Sequence, residues 1–182
     1  MIPDWYYNTC NEAKVREVRH FFGNTERLGV LRHAVTEILE TDLEQVVRAK
    51  AAEAYRALRV PVIVEHGALC IDFLNGHPGA LVKPTWMALG KRLCLLVPPD
   101  EPRTCRSLSA LCYCDGRKRE VILKTVEGEL SLTPQGTGGF HWDPVFIPRG
   151  ETRTLAEMPL DEKLRASATG QAYKELRQHL KL

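Results

Sequence analysis

Apolar positions along this chain switch between the two-residue period of a strand and the 3.6-residue period of a helix, which predicts an α/β protein. The aromatic run Trp5, Tyr6, Tyr7 predicts a short strand, and a polar turn leads from it into a helix over 12–22, with Ala13, Val15, Val18, Phe21 and Phe22 at helical spacing. The apolar segment 34–39 has strand length. A second helix is predicted over 43–58, where Leu43, Val46, Val47, Ala51, Ala54, Tyr55 and Leu58 share a face and Asp42 is placed to cap it. Residues 61–64 form a continuous apolar run ahead of a turn at Gly67, as expected of a strand buried on both faces.

Downstream, 75–79 (Asn-Gly-His-Pro-Gly) must be a loop, and a helix is predicted from Lys83 to near Gly90. Segments 93–97, 107–114 and 119–126 are predicted strands, the last two joined by a hairpin turn at Asp115-Gly116, with 98–104 as a loop. One long helix over 161–180 closes the chain. No repeat, low-complexity tract or linker divides the sequence, so residues 1–182 are expected to form one domain.

Composition narrows the classes. A chain of 182 residues that is 44% hydrophobic can bury a substantial core. Its 25 Lys and Arg against 23 Asp and Glu leave a charge of +2, which argues against a nucleic-acid-coating surface and makes any phosphate affinity a local matter. There is no signal-like start and no apolar stretch of spanning length, so the expected location is the cytoplasm, with no membrane and no direct nucleic-acid partner. Six cysteines include no CxxC pair, and Cys112 and Cys114 share one face of a strand; buried free thiols are the expected state.

The chemistry begins at Thr9-Cys10-Asn11-Glu12-Ala13-Lys14. A hydroxyl, a carboxamide and an ammonium stand at the start of a helix, whose free N–H groups and dipole favour a phosphate chain. The same residues alone also describe an ordinary helix cap with a solvated face. Further along stand Val62-Ile63-Val64-Glu65, Leu69 to Gly76 continuing through Pro78-Gly79 to Lys83, then Phe140-His141-Trp142-Asp143-Pro144-Val145-Phe146. Last comes Thr154-Leu155-Ala156-Glu157-Met158-Pro159, followed by Glu162-Lys163 and Ser167.

Taken in order, these segments resemble the inosine triphosphate pyrophosphatase (ITPase) family, from its T-x-N-x-x-K opening to its F-G-W-D-P-x-F base-binding segment. The resemblance covers residues 6–180. It implies an α/β fold with an elongated mixed sheet flanked by helices in two lobes around a central nucleotide cleft, a homodimer, and Mg-dependent hydrolysis of ITP, dITP or XTP to monophosphate and pyrophosphate. It also implies that Thr9, Asn11, Lys14, Lys50 and Lys83 hold the phosphates, and that Phe140 stacks on the base while Trp142, Asp143, Lys163 and Ser167 complete the nucleotide site.

Three departures fall on the chemistry. The family's acidic pair becomes Glu65-His66, with His66 in place of the catalytic Asp. Counting back from Pro61 and Lys50 puts the metal-binding Glu on Gln45, with Glu44 displaced by one position. The family's Ser-His-Arg becomes Ser167-Ala168-Thr169. Magnesium favours carboxylate oxygens, so these changes predict weakened metal binding, with Glu44, Glu65 and Asp72 as the remaining candidate ligands. His66 is a candidate general base, and Glu65 stands beside it.

Phosphate-binding residues without the family's hydrolytic set suit a receptor that keeps its ligand. The leading expectation from sequence is therefore a catalytically impaired nucleotide sensor. It is similar to the ITPase-like, dITP-sensing subunit of the Kongming antiphage system, which works with a sirtuin-like NAD-degrading effector. The alternative is an active Mg-dependent pyrophosphatase, and a third reading is a structural partner with a vestigial cleft.

Overall fold

The computed structural model describes residues 2–23 and 25–181. Its elements are β1 (Trp5–Asn8), α1 (Glu12–Phe22), β2 (Leu28–Leu31), α2 (Leu43–Leu58), β3 (Val62–Ile71), β4 (Pro78–Gly79), α3 (Val82–Leu89), β5 (Thr104–Cys114), β6 (Arg119–Leu130), β7 (Phe146–Pro148), α4 (Leu160–Ala166) and α5 (Ala168–Leu180). The seven strands form one mixed sheet in the order β2-β1-β3-β5-β6-β7, with β4 paired to β3, and helices flank it. Parallel pairing of β1 with both β2 and β3, at Tyr6↔Gly29 and Tyr6↔Val62, is what α1 and α2 make possible as crossover helices.

The chain packs as two compact units. The first comprises Met1–His66, Ala110–Leu123 and Ala172–Leu182; the second comprises Gly67–Ser109 and Lys124–Gln171. In the first unit α1 buries Val15 and Val18, and α2 buries Val46, Val47, Ala51 and Ala54, the apolar stripes expected from their spacing. Asn11 caps α1 and Asp42 caps α2, each accepting from two backbone N–H groups and each contributing about 1 kcal/mol. The second unit has its own core, built around Leu69, Ile71, Val82, Leu93, Phe146 and Leu155.

Several expected elements differ. Residues 34–39 form no strand: β2 lies upstream at Leu28–Leu31, and of the apolar residues that suggested a strand Ala34, Ile38 and Leu39 face solvent, Leu39 being 88% exposed. Asn8 instead pins this irregular stretch at both ends of its carboxamide, donating to the His33 carbonyl and accepting from the His33 N–H.

Gly67 makes no turn. It lies inside β3 because Trp142 packs against it, and an added Cβ would come 2.9 Å from the indole ring. Residues 93–97 are not a strand either; Gly90–Leu96 is a 3-10 helix, and Arg103 ties the segment down by donating to the carbonyls of Cys94 and Val97. The loop 75–79 contains the two-residue β4, paired with Leu69 and Cys70.

The closing helix is two helices. Ser167 is extended between α4 and α5, and its hydroxyl accepts from the Gly170 N–H; Gly170 is required because the Leu164 carbonyl occupies the space of a Cβ. All six cysteines are free; burial pushes the thiols of Cys105 and Cys112 up to about 12, so both stay protonated.

Candidate functional site

In the first unit a buried carboxylate organises the polar residues. Glu65, near the middle of β3, directs Oε1 to the Lys14 ammonium at 2.9 Å. Its Oε2 accepts from the hydroxyls of Tyr7, on β1, and of Tyr173, on α5, the latter at 3.0 Å. Burial pushes the Glu65 carboxyl up, but the Lys14 charge and the donated hydrogen bonds outweigh it, and the net shift is below the usual carboxylate range. The two phenols move well above their usual value, through burial first and the neighbouring Glu65 charge second.

At the next position of β3, His66 is buried, with Nδ1 4.0 Å from Glu37 Oε1. The same Glu37 oxygen takes the Lys50 ammonium at 2.8 Å, and Lys50 also donates to the Glu65 carbonyl at 3.2 Å. Lys14, Lys50, Glu65 and His66 are thereby grouped with Glu37 in one unit.

Thr9 and Asn11 serve the start of α1. The Thr9 hydroxyl accepts from the Asn11 N–H, and the Asn11 carboxamide oxygen accepts from the N–H groups of Ala13 and Lys14. Such a cap preorganises the helix N-terminus that a phosphate would approach.

The second unit holds the aromatic segment. Asp143 is buried, and its Oδ2 accepts from Lys163 Nζ and from the Phe140 N–H, both at 2.6 Å. Lys163 Nζ also lies 4.6 Å from the centre of the Phe140 ring. Gly139 has φ of +69°, and a Cβ there would strike the Asp143 side chain, so the turn before Phe140 needs glycine twice over. Trp142 donates Nε1 to the Ser107 hydroxyl and stacks on His141, whose own φ is +49°. An aromatic face beside a fixed carboxylate and ammonium has the makings of a purine site. Lys83 is exposed in the first turn of α3, and Ser167 is buried, occupied as the cap of α5.

The expected metal ligands are not brought together. Glu44 is exposed and paired with Arg48, Asp72 is paired with Arg106 in the second unit, and Glu65 has both oxygens committed within the protein. Gln45 lies on the exposed start of α2 and donates to its capping residue Asp42. Among the described residues no group of three His, Cys, Asp or Glu side chains could hold a metal ion. A nucleotide-borne magnesium asks for less, one or two carboxylates beside the phosphates, and Glu37, whose side chain is a quarter exposed, could meet that demand only by giving up the Lys50 ammonium that its Oε1 now takes.

Sequence reasoning missed Glu37, Tyr7 and Tyr173. Glu37 sat inside a stretch taken for a strand, and the two tyrosines looked like core; no local motif marks either role.

The sequence pattern of the Ham1 family matches residues 5–179. The chain belongs to the Ham1 family. Its relatives include the dITP/XTP pyrophosphatase of Saccharolobus solfataricus, 34% identical over 94% of this chain and 91% of that one. A second is the dITP/XTP pyrophosphatase of Thermococcus kodakarensis, 33% identical over 95% of both. Inosine triphosphate pyrophosphatase 2 of Trypanosoma cruzi is 33% identical over 94% of this chain and 89% of its own length. Among solved structures, the HAM1 protein of Coxiella burnetii shares the fold with a TM-score of 0.83 over 98% of both chains at 21% identity. The Ham1 family is thus the one that the T-x-N-x-x-K and F-H-W-D-P segments resemble. No described helix of this Ham1 chain is long and apolar enough to cross a membrane.

Proposed function

We propose that this Ham1-family chain hydrolyses non-standard purine nucleoside triphosphates (dITP, ITP or XTP) to the monophosphate and pyrophosphate. The observation that carries the proposal is the grouping of Lys14, Lys50, Glu37 and His66 in one compact unit, with each lysine held by a carboxylate. Relatives at about a third identity over nearly the whole chain are named as enzymes of this activity, which favours hydrolysis over mere binding.

In this reading the start of α1 with Thr9 and Asn11, together with Lys14, Lys50 and Lys83, holds the triphosphate. Phe140, Trp142, Asp143, Lys163 and Ser167 serve the base and its surroundings. His66 takes a proton from the attacking water as its oxygen bonds to the α-phosphorus, and the bond from that phosphorus to the bridging oxygen breaks to release pyrophosphate. Glu37, beside Nδ1, favours the charge that His66 acquires. Magnesium carried by the nucleotide would neutralise phosphate charge, and Glu37 would offer it a carboxylate on giving up Lys50.

A second reading is the catalytically impaired sensor, coupled to a protein partner such as a sirtuin-like NAD-degrading effector. What favours it is that Glu65 and Glu37 both already hold resident ammonium groups, while an imidazole stands where the family places its catalytic carboxylate.

The deciding experiment incubates the protein with dITP, ITP, XTP, dGTP and dATP plus magnesium and follows bound nucleotide and released pyrophosphate together. Multiple turnovers with dITP or XTP are expected, with His66→Ala lowering the rate by roughly 100-fold or more while dITP still binds. Tight binding with no pyrophosphate would sink the hydrolase and leave the sensor.

A further inference from the structure

Glu65 has partners on both oxygens, and its surroundings are unlike those of a metal ligand. Its side chain is 2% exposed, whereas that of Lys14 is 13% exposed. The carboxylate therefore lies behind the ammonium. An ionised carboxylate only accepts hydrogen bonds, and here one oxygen is taken by Lys14 and the other by two phenols. Tyr7 and Tyr173 are themselves fully buried, and their hydroxyls lie 3.2 Å apart. Bringing a divalent cation onto Glu65 would mean expelling the ammonium or turning two buried hydroxyls away from their acceptor, each of which leaves a polar group unsatisfied.

The lysine is in a different situation. An ammonium carries three protons, and the carboxylate fixes the position of the group through one contact, so the remaining donors point in set directions from the first turn of α1. That turn is where the helix N-terminus favours phosphate. A flexible side chain is thus made into a fixed donor by a charge buried behind it.

We propose that Glu65 is a positioning residue of the triphosphate site, acting through Lys14, with Tyr7 and Tyr173 fixing the carboxylate, and that it does not bind the metal. The proposal rests on the triphosphate reading above and adds to it the task of a buried anion inside an anion-binding site. The bare arithmetic of charge would have Glu65 repel the ligand, but its charge is already matched by the ammonium it orients. Tyr173 brings the final helix into the same arrangement, since it reaches Glu65 from α5.

Binding measured with and without metal separates the two roles. Calorimetric titration of dITP into the wild-type protein and into Glu65→Gln is made once in EDTA and once in magnesium. A positioning role predicts about a tenfold or greater rise in Kd under both conditions. It also predicts that Lys14→Met combined with Glu65→Gln is no worse than Lys14→Met alone. Loss confined to magnesium, with metal-free binding intact, would overturn the proposal and make Glu65 a metal ligand while leaving the triphosphate reading in place. Additive losses in the double variant would also overturn it. Should Glu65→Gln fail to fold by circular dichroism, Tyr173→Phe decides in its place, with a severalfold metal-independent rise in Kd expected and an unchanged Kd contrary. A wild-type protein that neither binds nor turns over any of the five nucleotides would overturn both this proposal and the reading beneath it.

Discussion

Each unit of the molecule sets a lysine against a buried carboxylate, Lys14 against Glu65 in the first and Lys163 against Asp143 in the second, and these two pairs are built differently. Lys163 and Asp143 are almost equally hidden, at 2.6 Å, and Asp143 has one other donor, the Phe140 N–H of its own turn. Lys14 and Glu65 meet at 2.9 Å with the ammonium nearer solvent, and two phenols from distant parts of the chain share the carboxylate. The first arrangement locks a local turn and places an ammonium over an aromatic ring. The second spreads the anion's needs over three partners and keeps its cation at the boundary. A buried ion pair by itself says little about net stability, because desolvation offsets much of the attraction. How many other donors remain when one partner is removed decides how such a pair fails.

The largest effect is expected at Lys163. Lys163→Met leaves Asp143 buried with a single backbone donor and should cost about 3–5 kcal/mol in urea unfolding. Lys14→Met leaves Glu65 with two phenol donors, and the loss should be smaller, about 1–3 kcal/mol. Equal losses at the two sites would break the contrast.

Tyr173→Phe, which removes one donor and leaves the ion pair, should cost about 1 kcal/mol by the same measurement. It should also blunt the pH dependence of the pair. Glu65 has a folded pKa below its unfolded value near 4.5, so its contribution is complete above about pH 4.5 and is lost as pH falls through the folded value. Tyr7 and Tyr173 have folded values raised above the usual 10, so their contribution is complete below about pH 10 and is lost as pH rises beyond it. Melting temperature against pH should therefore fall at both ends, and Tyr173→Phe should soften both edges.

What the sequence disclosed follows the range of the interactions involved. Asp42 and Asn11 were legible as caps because a cap is settled within three residues. The stripes of α1 and α2 were legible because periodicity is local. The break at Ser167 escaped notice because apolar spacing runs on through it, and the close approach of the Leu164 carbonyl that Gly170 permits is a contact the spacing does not reveal. Gly67 suggested a turn because the indole that needs its missing side chain is supplied by Trp142, far along the chain.

The candidate site divides in the same way. Lys14 stood out in the T-x-N-x-x-K motif and Lys50 only through the family resemblance, and the fold places both with Glu65 and His66 in one unit. Glu37 was hidden by an apolar segment whose Ile38 and Leu39 turn out to face solvent. Tyr173 lies 108 residues from Glu65, and no local pattern distinguishes a phenol that orients a carboxylate from one that fills a core.

Arg103 carries a consequence of its own. Its guanidinium donates to the carbonyls of Cys94, Val97, Leu130 and Ser131, with Pro98 at the edge of reach. The 3-10 segment 90–96 is thus tied toward the sheet by the Arg103 fork at Cys94 as well as by the burial of Leu93 and Cys94 in the core of the second unit. A lysine would keep the charge and lose the planar fork that spans these oxygens. Loosening the fork should accordingly be felt across the segment, its amide hydrogens exchanging faster together in Arg103→Lys than in the wild-type protein.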